Sequence, residues 1–504
     1  MELQFPCVPL LFTLGFLLTI LRILKISAKT KKQSLNKLPP GPWKLPLIGN
    51  MHQLMTSWPH HTLRDLSNKY GPLMHLQLGE VPTIIVSSAK IAQEVLKTND
   101  IVVSHRPRVL ACDVQTYNGK AIIFTPYGKY WQQMRKICTM ELLSQARVHS
   151  FRPIRTQEVR DFVKSIASNQ GSAINLSEKI FSLSYGITAR AAFGKKSRGQ
   201  EEFIRIIKET VKLSSAFCLA DMYPSSEVLQ LISGTRMRVH KLHRDSDKIL
   251  ENIVNEHKEQ RNEGDHQGTL DANLVDVLLQ LQQQGHLEFP LENENIKAVL
   301  KDMFGAGSET SATAVEWAMS ELLKNPKLMK KAQNEVRGVF GENATSLNED
   351  KFHELKFLRL IVKETLRLHP PALLIPRQCG ENCVINGYNI AAGTKVLINA
   401  WAIQRDPCYW NDADEFRPER FYDNSMDFRG TNFEYIPFGS GRRICPGILF
   451  AMPSIELTLA NLLYHFDWKL PDQMKFEDLD MTESFGITAR RNDDLLLIPI
   501  PYLN

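Results

Sequence analysis

Two short strings carry residue types able to do chemistry. The first, residues 437–447, reads Pro-Phe-Gly-Ser-Gly-Arg-Arg-Ile-Cys-Pro-Gly. Glycines at 439, 441 and 447 let the backbone fold tightly around one thiol, Cys445, so that amide N–H groups can point at its sulfur. Such donors, with a helix expected to begin near Ile448, would favour the thiolate. The second string, Gly305-Ala306-Gly307-Ser308-Glu309-Thr310-Ser311, stands in the middle of a helical pattern. Each interior glycine costs a helix about 1 kcal/mol relative to alanine. Tight helix packing would account for the small residues but not for the acid Glu309 or the alcohol Thr310. The other reading is a surface against which something bound lies, with both groups at hand to relay protons. Glu364 and Arg367 lie three apart on one helical face, where they can pair and Arg420 can join them.

Long helices are needed to hold these strings in place. The pattern over about 293–323 has no proline until Pro326, and some 30 helical residues would reach about 45 Å, across a whole domain. Helical periodicity also marks 91–96, 130–143, 249–257, 275–281, 328–339 and 357–368. Strands are few: 74–78 with 83–86 read as a hairpin, and Asn386-Gly387 is the preferred two-residue turn of a second one. His369 ends a helix stopped by Pro370 and Pro371 and reads as a terminal residue, not a ligand. Pro453 should remove a hydrogen bond inside the helix after Cys445 and bend it. The polar tract 259–267 reads as an exposed loop.

The composition, 504 residues with 43% hydrophobic and 23% charged, is that of an ordinary globular chain. The net charge of +6 is concentrated: residues 22–44 hold seven Lys/Arg and no acid, Glu2 precedes them, and 45–504 sum to zero. A neutral body with no basic stripe excludes nucleic acid as the main partner. Residues 3–21 are 19 uncharged, mostly apolar residues, about 28 Å as a helix. The basic flank after them places the rest of the chain in the cytosol. The expected division is an anchor helix at 1–22, a basic and Pro-rich linker at 23–44, and a cytosolic domain at 45–504. Eight cysteines without paired spacings make no disulfide framework, and Cys379 and Cys383 read as two structural thiols, zinc being disfavoured without further ligands.

Phe438, Gly441, Arg443, Cys445 and Gly447 fill the pattern Phe-x-x-Gly-x-Arg-x-Cys-x-Gly, which resembles the haem-ligand signature of the cytochrome P450 family. Ala306-Gly307-x-Glu309-Thr310 resembles that family's oxygen-activation motif. Glu364-x-x-Arg367 and Phe416-Arg417-Pro418-Glu419-Arg420-Phe421 are similar to two further motifs, and Trp131-x-x-x-Arg135 to its propionate-holding helix. The resemblance spans nearly the whole chain. It implies one large haem-thiolate monooxygenase fold, mainly α with small β-sheets, behind one N-terminal transmembrane helix.

The same resemblance implies haem b with Cys445 as the protein ligand of the iron, pushing electron density that favours O–O cleavage. Arg135, Trp131, Arg377 and Arg443 would hold the propionates, with Phe438 beside the ligand loop and Ala306 across the haem. Thr310 and Glu309 would deliver protons. No dinucleotide-binding glycine pattern is evident, so electrons would come from a separate NADPH-dependent flavin reductase docking near Lys136 and Arg442. The expected location is the endoplasmic reticulum membrane, single-pass, with the catalytic domain cytosolic. Stretches 71–80, 432–447 and 485–490 look like the plant terpenoid-oxidising branch. That likeness implies an apolar sesquiterpene or diterpene substrate lined by Ala306, Leu374 and Ile487, with 109–124, 213–223, 373–375 and 485–487 as further candidates. Alternatives are the same chemistry on a phenolic or other small apolar metabolite, a reductase-independent isomerase or lyase, and a non-catalytic haem-binding protein.

Overall fold

The long helix expected across the domain runs from Asn293 to Lys324. Glu292 and Asn295 close its first turn as a capping box, and Asn325 ends it where Pro326 opens the next helix. It tolerates two central glycines because neighbours press on it from every side: from Asn295 to Leu323 only Gly305, Ala306, Gly307 and Thr310 keep appreciable accessible surface. Helix Leu176–Phe193 lies along one flank and helix Ile448–His465 along another. A Cβ added at Gly307 would touch Thr188 of the first and Phe450 of the second, both at 3.5 Å. Gly307 therefore sets how closely three helices approach.

The computed structural model describes residues 38–502 except 195–198, 215–217, 263–271, 343, 345, 423–424 and 472–473, and omits the side chains of 231 and 232. The expected anchor at 1–22 and most of the linker lie outside the described residues. The proline hinge is attached to the body: the His75 N–H donates to the Pro40 carbonyl (2.8 Å), and Asn50 Nδ2 to the carbonyls of Pro42 and Trp43.

Each segment read as helical is helical, including Lys129–Ile137, Leu274–Gln284, Pro326–Phe340 and Lys356–Leu368. Wider π turns extend two of them, at Glu94–Thr98 and Cys138–Leu142. The tract 259–267 departs from expectation, since its first residues still belong to helix Thr235–Asn262. Strands Leu73–Leu78 and Val81–Val86 pair as the expected hairpin. Lys395–Asn399 adds parallel to Val81–Val86, and Leu374–Gln378 antiparallel to Lys395–Asn399, giving a four-stranded sheet. In the second hairpin Asn386 and Gly387 both have positive φ (49° and 75°), as the tight turn requires. Pro453 does stand inside Ile448–His465, one turn beyond Leu449, which is exposed.

Glu364 and Arg367 are fully buried. Arg367 meets both carboxylate oxygens at 2.8 and 2.9 Å, while Arg420 Nε (2.9 Å) and the Arg417 N–H (2.8 Å) also donate to Glu364. The remaining guanidinium hydrogens of Arg367 go to the carbonyls of Gln404, Ala413 and Glu415. One carboxylate serves two guanidiniums, and backbone carbonyls take their other hydrogens, so the buried pair is hydrogen-bonded throughout, the condition under which it holds a fold together. His369 is committed elsewhere: its Nε2 meets Glu321 (2.7 Å) and its ring stacks on Trp317 at 4.0 Å.

Candidate active site

Cys445 sits in a loop that only glycine could build. Gly439 and Gly441 have φ of 71° and 70°, and a Cβ on Gly441 would lie 2.5 Å from the Leu96 carbonyl oxygen. The Cys445 N–H donates to the Phe438 carbonyl (2.9 Å), and the Gly447 N–H points at the sulfur (3.3 Å). Burial raises the Cys445 pKa, and the Gly447 amide and the nearby Arg135 guanidinium offset this only in part. Of the several amides expected at the sulfur, one reaches it among the described residues. A coordinating metal deprotonates a thiol outright.

Four arginines surround this loop. Arg443 donates to the carbonyls of Ser104 (2.8 Å), Ile122 (3.1 Å) and Thr125 (2.6 Å), and its guanidinium lies 4.1 Å from the Trp131 ring centroid. Arg135 donates to the Ile444 carbonyl (2.5 Å). Arg377 is 1% exposed, and its Nε is buried without a partner. The fourth is Arg106, which donates to the carbonyls of Ile123 and Pro376. Burial lowers all four, and in Arg106, Arg377 and Arg443 the repulsion of neighbouring guanidiniums adds to it: Arg106 falls to about 10, Arg443 to about 8 and Arg377 far below its ordinary value. Among the described residues none of the four has a carboxylate partner; Asp100, whose charge reaches Arg377 and Arg443, is occupied by Arg442 and by Ser104. Such a surplus of buried positive charge fits a dianion. A haem, with two propionates and an iron that takes one thiolate, satisfies both the arginines and Cys445.

The structure thus gathers Cys445, Arg135, Arg377, Arg443 and Trp131 as the sequence suggested, with two differences. Trp131 spends its indole N–H on the Ile122 carbonyl (3.0 Å), so it acts through the face it offers to Arg443. Arg106 was missed: an arginine before a proline is too common a signal to single out. Phe438 packs edge-on to Phe428, with centroids 5.3 Å apart.

Gly305, Ala306, Gly307 and Thr310 form the accessible window of the long helix. Thr310 Oγ1 donates back to the Ala306 carbonyl (2.7 Å), which leaves the oxygen's lone pairs for an incoming donor. Glu309 points elsewhere. It is 4% exposed and accepts a short hydrogen bond from Tyr185, whose own pKa is raised by burial and by the Glu309 charge. Two turns earlier, Asp302 accepts from the N–H groups of Ile122 and Ile123 (2.9 Å each), fixing the segment that receives Arg443 and Trp131. Nothing in the sequence announced either partner.

Of the expected substrate lining, Leu374 is half-buried against a cluster containing Leu76, Met222 and Leu397, and Ile487 is half-buried in a turn. Leu373 and Phe485 instead join Trp401 and Ala489 in a separate cluster. Beside it, His60 and His61 converge on Glu483 Oε1 at 2.5 and 3.1 Å. Arg405 and Arg64 lie 4.3 and 5.0 Å from the Trp401 ring, which stacks on His61. Two neighbouring cations disfavour a metal ion. Burial would raise Glu483, but the hydrogen bonds from both imidazoles outweigh it and hold the carboxyl well below its usual range.

Comparison with known proteins supplies an independent test. The family described as "Cytochrome P450" matches residues 39–496. "Premnaspirodiene oxygenase" of Hyoscyamus muticus is 50% identical, over 98% of this chain and 98% of that protein. "Tabersonine 6,7-epoxidase isoform 1" of Catharanthus roseus is 52% identical, over 95% of each. Among solved structures, a zebrafish cytochrome P450 determined with abiraterone superposes with a TM-score of 0.76, covering 89% of this chain and all of that one. Its 23% identity speaks for the fold alone.

Proposed function

Because this chain belongs to the cytochrome P450 family, a haem-dependent monooxygenase class, we propose that it oxygenates a neutral terpenoid at the window formed by Ala306 and Thr310. The observation that carries the reading is the buried cluster of four arginines around Cys445. Haem held there supplies oxygen activation and insertion. Cys445 would ligate its iron as the thiolate, since a coordinating metal holds a thiol deprotonated. Arg106, Arg135, Arg377 and Arg443 would hold and neutralise the propionates. Thr310 accepts a proton from ordered water and passes it toward the window through its own hydroxyl. Glu309, locked to Tyr185, holds the helix and the local field in place and hands on a proton only when that bond opens. Electrons enter from a flavin reductase on the side where Lys136 and Arg442 are exposed, as is typical of the family.

A neutral terpenoid is favoured over a protonated amine because both acids of the long helix that flank the window are committed, Asp302 to two amides and Glu309 to Tyr185. An ammonium would find neither of these two acids free. Likeness to a premnaspirodiene oxygenase supports the terpenoid reading, while likeness to a tabersonine epoxidase supports an alkaloid at comparable identity. Membrane attachment fits the surface: Tyr223 donates to the Leu47 carbonyl (3.3 Å), bringing exposed Leu219 toward exposed Trp43, Leu47 and Met55.

Two measurements test this. Cys445→Ser should abolish the red-shifted Soret band of the reduced carbon monoxide complex; its persistence would refute the ligand assignment. The full chain with a plant reductase should convert a terpene hydrocarbon in a panel that includes indole alkaloids, phenolics and fatty acids. Turnover of the alkaloids alone would replace the substrate reading and leave the monooxygenase reading intact.

A further inference from the structure

Cys379 and Cys383 take no part in the site above, yet their sulfurs lie 3.9 Å apart. We propose that they are a peroxide-oxidised thiol pair that closes reversibly to a disulfide. Their settings are unequal in the way such a pair requires. Cys379 follows strand Leu374–Gln378, is 1% exposed, and has its backbone fixed: its N–H donates to the Thr394 carbonyl (3.0 Å) and its carbonyl accepts from Gly393 (2.7 Å). Cys383 is half-buried and opens strand Cys383–Ile385 of the small hairpin, whose neighbouring residue Val384 is 53% exposed. A peroxide from solvent therefore meets Cys383 first, with Cys379 behind it.

The sulfurs must approach from 3.9 Å to about 2.05 Å. Only three residues, Gly380 to Asn382, separate the cysteines, and rotation of the Cys383 side chain with a small shift of its exposed hairpin supplies the movement while the anchored Cys379 stays in place. Cys379 keeps its proton and shares it with the Cys383 sulfur, which raises Cys379 and lowers Cys383. The lower-pKa, accessible thiol is the one that attacks.

The chemistry balances. The Cys383 thiolate attacks one peroxide oxygen, the O–O bond breaks, and the departing hydroxide takes a proton to become water, leaving a sulfenic acid. Cys379 then gives up its proton and attacks the sulfenic sulfur; the S–S bond forms, the S–O bond breaks, and a second water leaves. Two thiols and one hydrogen peroxide yield one disulfide and two waters. A metal site is the weaker reading: the His105 ring packs against Gly380, but among the described residues no third ligand atom converges with the two sulfurs. The location gives the modification a consequence. Arg377 stands two residues before Cys379, and the adjacent Gln378 N–H donates to the His105 carbonyl beside Ser104, the acceptor of Arg443. Closure ties the end of the strand that carries a propionate-facing arginine.

The test uses the full-length holoenzyme titrated with hydrogen peroxide while the Soret band reports that haem stays bound. The protein is then unfolded in N-ethylmaleimide and digested with trypsin; peptide 378–395 carries both cysteines. Expected is loss of both alkyl adducts and of two hydrogens from that peptide, restored by a thiol reductant, at doses that leave exposed Cys408 alkylated. In Cys379→Ser, Cys383 should proceed to sulfinic acid, and in Cys383→Ser, Cys379 should remain fully alkylated. Wild-type peptide that stays doubly alkylated while Cys408 oxidises, or that carries sulfinic acid at Cys383 beside an alkylated Cys379, would overturn the proposal, and that wild-type result stands whether or not the variants fold.

Discussion

Asp302 offers a sharp test because its charge and its hydrogen bonds pull stability in opposite directions. Burial pushes its pKa up from 3.8 to about 6, even though the Ile122 and Ile123 amides favour the anion. A gap of about two pH units corresponds to roughly 3 kcal/mol. The folded pKa is raised, so this contribution is fully present below the unfolded value near 4 and is lost as pH rises through about 6; the second half of the loss falls between about pH 5 and 7.5. Asp302→Asn keeps an oxygen for the two amides and discards the charge. It should match or exceed the wild type at pH 7.5 and show a flatter profile on going to pH 5. Asp302→Ala also discards the charge but leaves two buried N–H groups unpaired, at about 1–3 kcal/mol each. Because the Ile122 carbonyl receives both Arg443 and Trp131, the alanine variant should also hold haem less well. Thermal unfolding followed by tryptophan fluorescence and by the Soret band, from pH 5 to 7.5, measures both effects. An asparagine variant with the wild-type pH slope, or as unstable as the alanine variant, would refute the reasoning.

Glu364→Gln should cost about 3–5 kcal/mol in denaturant unfolding, because it strips the counterion from a fully buried Arg367. Gly441→Ala should lose at least about 1–2 kcal/mol from its positive φ alone, with further loss from the clash at Leu96, and its haem-to-protein ratio should fall. Thr310→Ala should bind haem and substrate as the wild type does but form less product per NADPH oxidised. Unchanged coupling would assign proton delivery to water or to Glu309.

Helix periodicity, the proline stop of the long helix, the Asn386-Gly387 turn and the spacing around Cys445 are local properties, written in neighbouring residues, and for that reason the elements and the ligand loop were legible before folding. The pair of Glu364 with Arg367 was legible on the same ground, and Arg420 of the Pro-Glu-Arg-Phe segment was foreseen as its third member. The electrostatics belong to the folded chain. Whether Cys445 holds its proton depends on burial, which outweighs the single amide that reaches it. Whether Glu309 faces the window or Tyr185 depends on helix Leu176–Phe193, more than a hundred residues away. Arg106 joins the charge cluster because the segment before helix Leu110–Gln115 is brought against the strand carrying Arg377. Desolvation and charge repulsion act over distances in space, and spacing along the chain carries no record of them until the chain is folded.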